Sequence, residues 1–240
     1  MNKNHSKWHT EEVAKTYVEG VRGAIPGADL QLEVIGKIAS EWCPMPSKII
    51  DLGCGDGVLG RFLLDKYSVA NVVFADFSES MLEKLRNRIS DNKRSTIINL
   101  DFSTSDWTKK IKSEKPFDII ISGFAIHHQP DERKGKLYAE IYELLAVGGL
   151  FLNLDQVISA TTPIGKLFDS FFLDYMQRFI SNAGPGITMN EIKDMYYQDK
   201  KENIPASVEK QCQWLRDIGF QDVDCFFKTF ELALFGGRKL

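Results

Sequence analysis

The sequence predicts an α/β fold in which a parallel sheet is covered by helices on both faces. Three observations predict it. From Lys48 onward, short apolar runs alternate with segments of helical periodicity. Those runs are near-continuously apolar, as strands buried on both faces are. The first of them, Lys48–Leu52, leads through a glycine-rich turn (Gly53, Gly55, Gly57) straight into a helix. A bare turn at a helix N-terminus exposes peptide N–H groups and suits a nucleotide-like ligand.

The elements follow in order. Val13, Tyr17 and Val21 recur at a spacing of four, one face of a helix, which Gly23-Ala-Ile-Pro-Gly27 breaks. Leu30, Val34, Ile35, Ile38 and Trp42 suit an amphipathic helix, ended by Pro44 and Pro46. Strand one is 48–52, and its helix runs over 57–67. Strand two is 71–76. Its helix starts near Ser80, with Ser80 and Glu83 at capping-box spacing. Strand three is 96–100 and strand four 117–122. A helix over 130–146 stops at Gly148-Gly149, and strand five is 150–155. The alternation then lapses. Residues 160–205 carry Phe168, Phe171, Phe172, Tyr175 and Phe179 at helical spacing and read as a helical cap over the sheet edge. A helix over 206–218 and two nearly contiguous strands, 222–228 and 230–236, complete the sheet, the last strand antiparallel. The predicted organisation is a helical segment 1–46, a cofactor-binding core 47–159, a cap 160–205 and a closing helix and strand pair 206–240.

Composition narrows the function classes. The 240 residues are 43% hydrophobic and 26% charged, enough for a full core. A net charge of −3 argues against a broad nucleic-acid surface. No apolar run has the length of a membrane span, and the N-terminus has no signal-type apolar region. Four cysteines without a CxxC pair fit reduced thiols. The expected location is cytoplasmic.

Strand ends carry the chemistry. Asp51, Asp76, Asp101, Ser122 and Asp155 close successive strands, where core packing has no use for polar groups. Asp76 lies where a carboxylate accepts both hydroxyls of a ribose; the alternative is a helix cap. Asp101 with Phe102 suits an adenine, accepting from its amine and stacking on its ring. Met81 either packs on that adenine or is plain core. Gly55, Gly57 and Gly60 match GxGxxG, but a dinucleotide frame starting at the strand end, Gly53, puts Val58 where its third glycine belongs. Asp51 also fits a cationic ligand better than a pyrophosphate.

DLGCGDG with Asp76, Asp101-Phe102 and FDIIISGFAIHH resembles the class I S-adenosylmethionine-dependent methyltransferases. The resemblance implies a Rossmann-like, doubly wound, seven-stranded sheet with an antiparallel last strand, and S-adenosylmethionine as cofactor. It places Asp51, Gly53, Cys54, Gly55 and Gly57 near the methionine part. Asp76, followed by Phe77, falls at the ribose, and Asp101 with Phe102 at the adenine. Ser122, Gly123 and Phe124 lie beneath the sulfonium. Val13, Tyr17, Arg22 and Ile25-Pro-Gly27, together with Trp214-Leu-Arg and Phe235-Gly-Gly-Arg, look like the branch related to the carboxy-S-adenosylmethionine synthases. That likeness makes Tyr17 and Arg22 candidates for the methionine carboxylate; the alternative is core and surface charge. The synthases hold the extra carboxylate with an arginine before the final Gly-Phe, a position that falls on Trp214 here.

His127 and His128 follow strand four and are the candidate general bases toward an acceptor; capping and sheet-edge packing are the alternative. Asp155 and Gln156 are secondary candidates. The expected activity is methyl transfer to a small-molecule acceptor. The alternatives are an enzyme of a carboxylated cofactor in tRNA wobble-uridine modification and a non-catalytic binding module. No metal site is expected. The cap aromatics suit core packing, a pocket wall or a homodimer contact.

Overall fold

The computed structural model describes residues 25–89, 92–183 and 188–240. Tyr17, Arg22 and the expected first helix lie outside them.

The described elements are α1 (Ala28–Trp42), β1 (Lys48–Leu52), α2 (Val58–Lys66), β2 (Asn71–Asp76), α3 (Glu79–Ile89), β3 (Ser95–Asn99), α4 (Trp107–Lys110), β4 (Phe117–Gly123), α5 (Asp131–Leu144), β5 (Leu145–Gln156), α6 (Thr162–Ala183), α7 (Met189–Glu202), α8 (Val208–Ile218), β6 (Gln221–Thr229) and β7 (Leu232–Arg238). The strands form one seven-stranded sheet in the order β3-β2-β1-β4-β5-β7-β6. β1 to β5 pair in parallel, and β7 runs antiparallel to both β5 and β6. The predicted fold class is the one found.

Strand residues alternate between two cores. Ile50, Val73, Ala75 and Ile120 face a core shared with Leu137 and Ile141 of α5 and Cys212 and Leu215 of α8. Ile49, Val72, Phe74 and Ile121 face a core shared with Ile35 of α1, Leu59 and Leu63 of α2 and Leu82 and Leu85 of α3. Both faces are thus covered, which accounts for the unbroken apolar runs. Each fully buried side chain of this size contributes about 1.5–3 kcal/mol. A third cluster joins Phe168, Phe172 and Leu173 of α6 and Tyr196 of α7 to Ile25 and Leu232. These cap aromatics are core.

Local differences from expectation have identifiable causes. α3 starts at Glu79, so Ser80 lies inside its first turn rather than before it. An Asp76 carboxylate oxygen accepts from Ser78 N at 2.8 Å, and the Ser78 carbonyl takes the Leu82 amide. That turn fixes the start one residue before Ser80. α5 ends at Leu144, and Leu145 already pairs with Phe117. Gly148 and Gly149 sit in β5, where they bond Lys239 at 2.6 and 2.9 Å, and do not end the helix. The short α4 and a 3-10 turn at Ile126–His128 have no periodic signal in the sequence.

Candidate functional site

The parallel strands deliver their carboxyl ends to one edge, and a cavity of about 290 Å³ opens there. That volume is near the lower end for small-molecule sites. The cavity gathers Asp51, Gly53, Cys54, Gly55, Asp76, Phe77, Met81, Asp101, Phe102, Gly123, Phe124 and His128.

The turn after β1 is shaped by its glycines. Gly53 has φ 70°, and a Cβ there would lie 2.4 Å from Ala125 Cβ and 3.2 Å from the Phe102 ring. Gly55, at φ 53°, would meet nothing nearer than Met81 Cε at 3.9 Å, so its backbone is open to the cavity. Gly57, at φ 81°, is the residue before α2; a Cβ there would run into Leu85 and Phe74, and it does not line the cavity. Gly60 lets α2 close onto Phe74 of β2. The third glycine of the GxGxxG match therefore serves helix–strand packing.

The acids have distinct settings. Asp51 Oδ2 accepts from Gly60 N at 2.7 Å, bracing the first turn of α2 from the strand end. Asp76 Oδ2 accepts from Gly55 N and Oδ1 from Ser78 N, both at 2.8 Å. Burial raises the Asp76 pKa, and those backbone donors oppose it. Phe77 N is a third backbone donor to the carboxylate, which keeps acceptor capacity for a further one. Asp101 is exposed and accepts from Ser103 N at 2.8 Å. Cys54 is buried, and burial with the neighbouring carboxylates pushes its thiol pKa well up, which makes it a poor nucleophile.

The remaining candidates divide. Ser122 is buried, outside the cavity lining, and donates to Leu52 O at 2.7 Å, tying β4 to β1. His128 lines the cavity. His127 is buried and outside it, with Nδ1 on a carboxylate oxygen of Asp155. Asp155 is itself fully buried, and Asn153 Nδ2 reaches its other oxygen at 3.3 Å. Gln156 accepts from Asn203 Nδ2 at 2.6 Å. Trp214 and Arg216 lie outside the cavity lining: the Trp214 ring lies tilted 6.4 Å from that of Tyr138, and Arg216 donates to Val223 O.

Sequence reasoning missed Ile25, Asp56, Gln129, Glu202 and Ile204, which also line the cavity. Gln129 follows the histidine pair directly and was findable by adjacency. Glu202 and Ile204 return from the far end of the cap, and no local pattern marks them. Among the described residues no cluster of His, Cys, Asp and Glu could hold a metal ion. No described helix is long and apolar enough to cross a membrane.

Residues 49–149 match the family model described as a methyltransferase domain. Over that stretch, from β1 into β5, the chain is similar to a methyltransferase domain. Carboxy-S-adenosyl-L-methionine synthases are similar over nearly the whole chain. That of Nautilia profundicola is 22% identical over 229 residues, 94% of this chain and 91% of that protein. That of Shewanella amazonensis is 26% identical over 227 residues, 92% and 88%. A demethylmenaquinone methyltransferase of Leptospira interrogans is 34% identical over 108 residues, 45% and 42%. Among solved structures, an O-methyltransferase family protein from Burkholderia thailandensis overlays with TM-score 0.61 at 14% identity, covering 96% of this chain and 63% of that one. Human N-acetylserotonin methyltransferase, solved with S-adenosylmethionine, gives 0.62 at 14%, covering 97% and 57%. The chain thus spans about three-fifths of those solved chains, and they share its fold. The fold is the one that the DLGCGDG turn and its acids imply.

The cavity has a donor set that fits S-adenosylmethionine. It offers an open glycine backbone, a buried carboxylate with spare acceptor capacity, and an exposed carboxylate beside a phenylalanine ring.

Proposed function

We propose that this protein transfers a methyl group from S-adenosylmethionine to a small-molecule acceptor. The observation that carries this reading is the order of groups along one cavity. Asp101 and Phe102 follow β3, Asp76 ends β2, the glycine turn follows β1, and His128 follows β4, so they run in the order of the sheet. A ligand with an adenine, a ribose and a charged tail matches that sequence of partners.

When bound, the cofactor supplies an electrophilic methyl on sulfur, open to in-line attack. The chain does the rest. Asp76 accepts the ribose hydroxyls, and Asp101 accepts from the adenine amine. The Gly55 backbone leaves room for the ligand to lie flat on the turn. His128 takes the proton of an acceptor hydroxyl, thiol or amine, since an unperturbed imidazole titrates near neutrality.

Calorimetry with S-adenosylmethionine and S-adenosylhomocysteine, followed by transfer of labelled methyl to an extracted metabolite pool, tests the reading. Binding with transfer supports it; absence of binding overturns it, and binding without transfer to any fraction favours a non-catalytic module. A second reading, a carboxy-S-adenosylmethionine synthase-like activity, is favoured by the relatives of that name matching about nine-tenths of their own length. Mass spectrometry of the ligand that co-purifies separates the two, because a carboxylated cofactor is heavier by one carboxylate.

A further inference from the structure

The stretch after α7 is pinned across one end of the cavity by bonds the cofactor reading does not use. Ile204 N donates to His127 O at 2.9 Å, and the Ile204 carbonyl accepts from Lys134 Nζ. Ile204 is thus held at both of its backbone polar atoms. On one side, Asn203 Nδ2 reaches Gln156 Oε1 at 2.6 Å. On the other, the Ala206 carbonyl takes Ile158 N at 3.1 Å and Gln211 Nε2 at 3.2 Å. The anchors come from the ends of β4 and β5 and from α5 and α8. Asp76 and Asp101 come from the ends of β2 and β3, on the other side of β1.

Lys134 has a side chain with no exposed surface. Burial lowers its pKa, while Asp131 on the same helix and Asp155 near the end of β5 act to raise it. Asp131 also takes Lys210 at 2.8 Å, so the facing charges on α5, β5 and α8 are Asp131, Asp155 and Lys210. A lysine buried in a helix face costs desolvation energy that an apolar residue would not. What the charge gains here is a grip on a strap carbonyl. Ile204 is exposed at 41%, and with Glu202 it lines the cavity along with His128 and Gln129.

We propose that residues 202–206 form the wall that selects the acceptor, with Ile204 as the specificity-determining side chain and Lys134 as the residue that positions it. This rests on the methyltransferase reading above, since only that reading puts the acceptor at the β4–β5 end. Trimming Ile204 enlarges the acceptor end, and removing the Lys134 ammonium frees the strap, while the cofactor end stays as it was.

The test uses the 240-residue chain and two variants, Lys134→Met and Ile204→Ala; the second trims an exposed side chain and guards against a folding defect in the first. With S-adenosylhomocysteine saturating, the rate of His128 modification by diethyl pyrocarbonate is followed by peptide mass spectrometry. Both variants should label His128 at least about fivefold faster than wild type. Amide exchange of the 202–206 peptide should rise about tenfold in Lys134→Met. S-adenosylhomocysteine affinity should stay within about threefold. Unchanged His128 labelling in Ile204→Ala, or unchanged exchange in Lys134→Met, overturns the assignment while leaving the methyltransferase reading intact. So does a loss of S-adenosylhomocysteine affinity greater than about threefold in either variant. No binding of S-adenosylhomocysteine to wild type sinks the methyltransferase reading, and this assignment with it.

Discussion

The His127 imidazole meets a carboxylate oxygen of Asp155 in a fully enclosed site, while the His128 ring, 4.0 Å away between centroids, stands on the cavity side. The carboxylate accepts, so His127 Nδ1 carries the proton. Asp155 also takes Gln156 N at 3.0 Å and Asn153 Nδ2 at 3.3 Å. Asn153 continues to the Tyr138 hydroxyl, which donates to Gln211 at 2.6 Å. Asp155→Ala therefore strands several buried groups at once. It should cost about 3 kcal/mol, which for a chain of this size lowers Tm by roughly 6–12 °C. Calorimetric unfolding checks this; a Tm within a degree or two of wild type would show the network to be unimportant for stability.

Gly53→Ala tests the turn itself. A methyl group there meets Ala125 Cβ at 2.4 Å and forces a residue with φ 70° into the left-handed region. Both effects disfavour the native turn, by about 1–3 kcal/mol for the strain alone. The variant should be less stable and should bind S-adenosylhomocysteine at least about tenfold more weakly. Retained affinity in calorimetry would mean the turn does not touch the ligand.

Asp76 gives a pH prediction with two opposite signs. Its pKa in the folded chain is raised above the ordinary 3.8 by burial. The folded state therefore holds the proton more readily than the unfolded one. The stability cost of keeping Asp76 ionised is fully present above the folded pKa and vanishes below the unfolded value. Ligand affinity runs the other way, because ribose hydroxyls donate to the ionised form. Affinity for S-adenosylhomocysteine should fall on acidification, with a midpoint above 3.8. Asp76→Asn should weaken binding by about 10- to 100-fold at neutral pH, the worth of a bond to a charged acceptor, and flatten this dependence. An identical pH profile in wild type and Asp76→Asn would remove Asp76 from the ribose.

These residues show why part of the site was legible. Asp51, Asp76 and the glycine turn are consecutive in sequence with the strands that present them, so strand periodicity and glycine spacing locate them together. The sheet was legible for the same reason: each βα unit is local. The wall formed by Glu202 and Ile204 was not. It is assembled from a segment some seventy residues beyond His128 and held by Lys134, whose position on α5 reads as an ordinary surface lysine. The two histidines were legible as a pair, but their division was not. Only the buried Asp155, at the end of another strand, turns His127 inward and leaves His128 on the cavity.

That division predicts different phenotypes for adjacent residues. His128→Asn removes the imidazole from the cavity wall without disturbing the Asp155 network. It should leave Tm nearly unchanged and S-adenosylhomocysteine affinity within about threefold, while lowering methyl transfer about 10²- to 10⁴-fold to any acceptor that must lose a proton. His127→Asn breaks the buried pair and loses the ring packed against His128. It should lower Tm and reduce transfer only in proportion to the folded fraction and to the slackened His128. Thermal unfolding, calorimetry and transfer rates measured side by side decide between them. Full transfer activity in His128→Asn, with loss confined to His127→Asn, would place the base on the buried histidine.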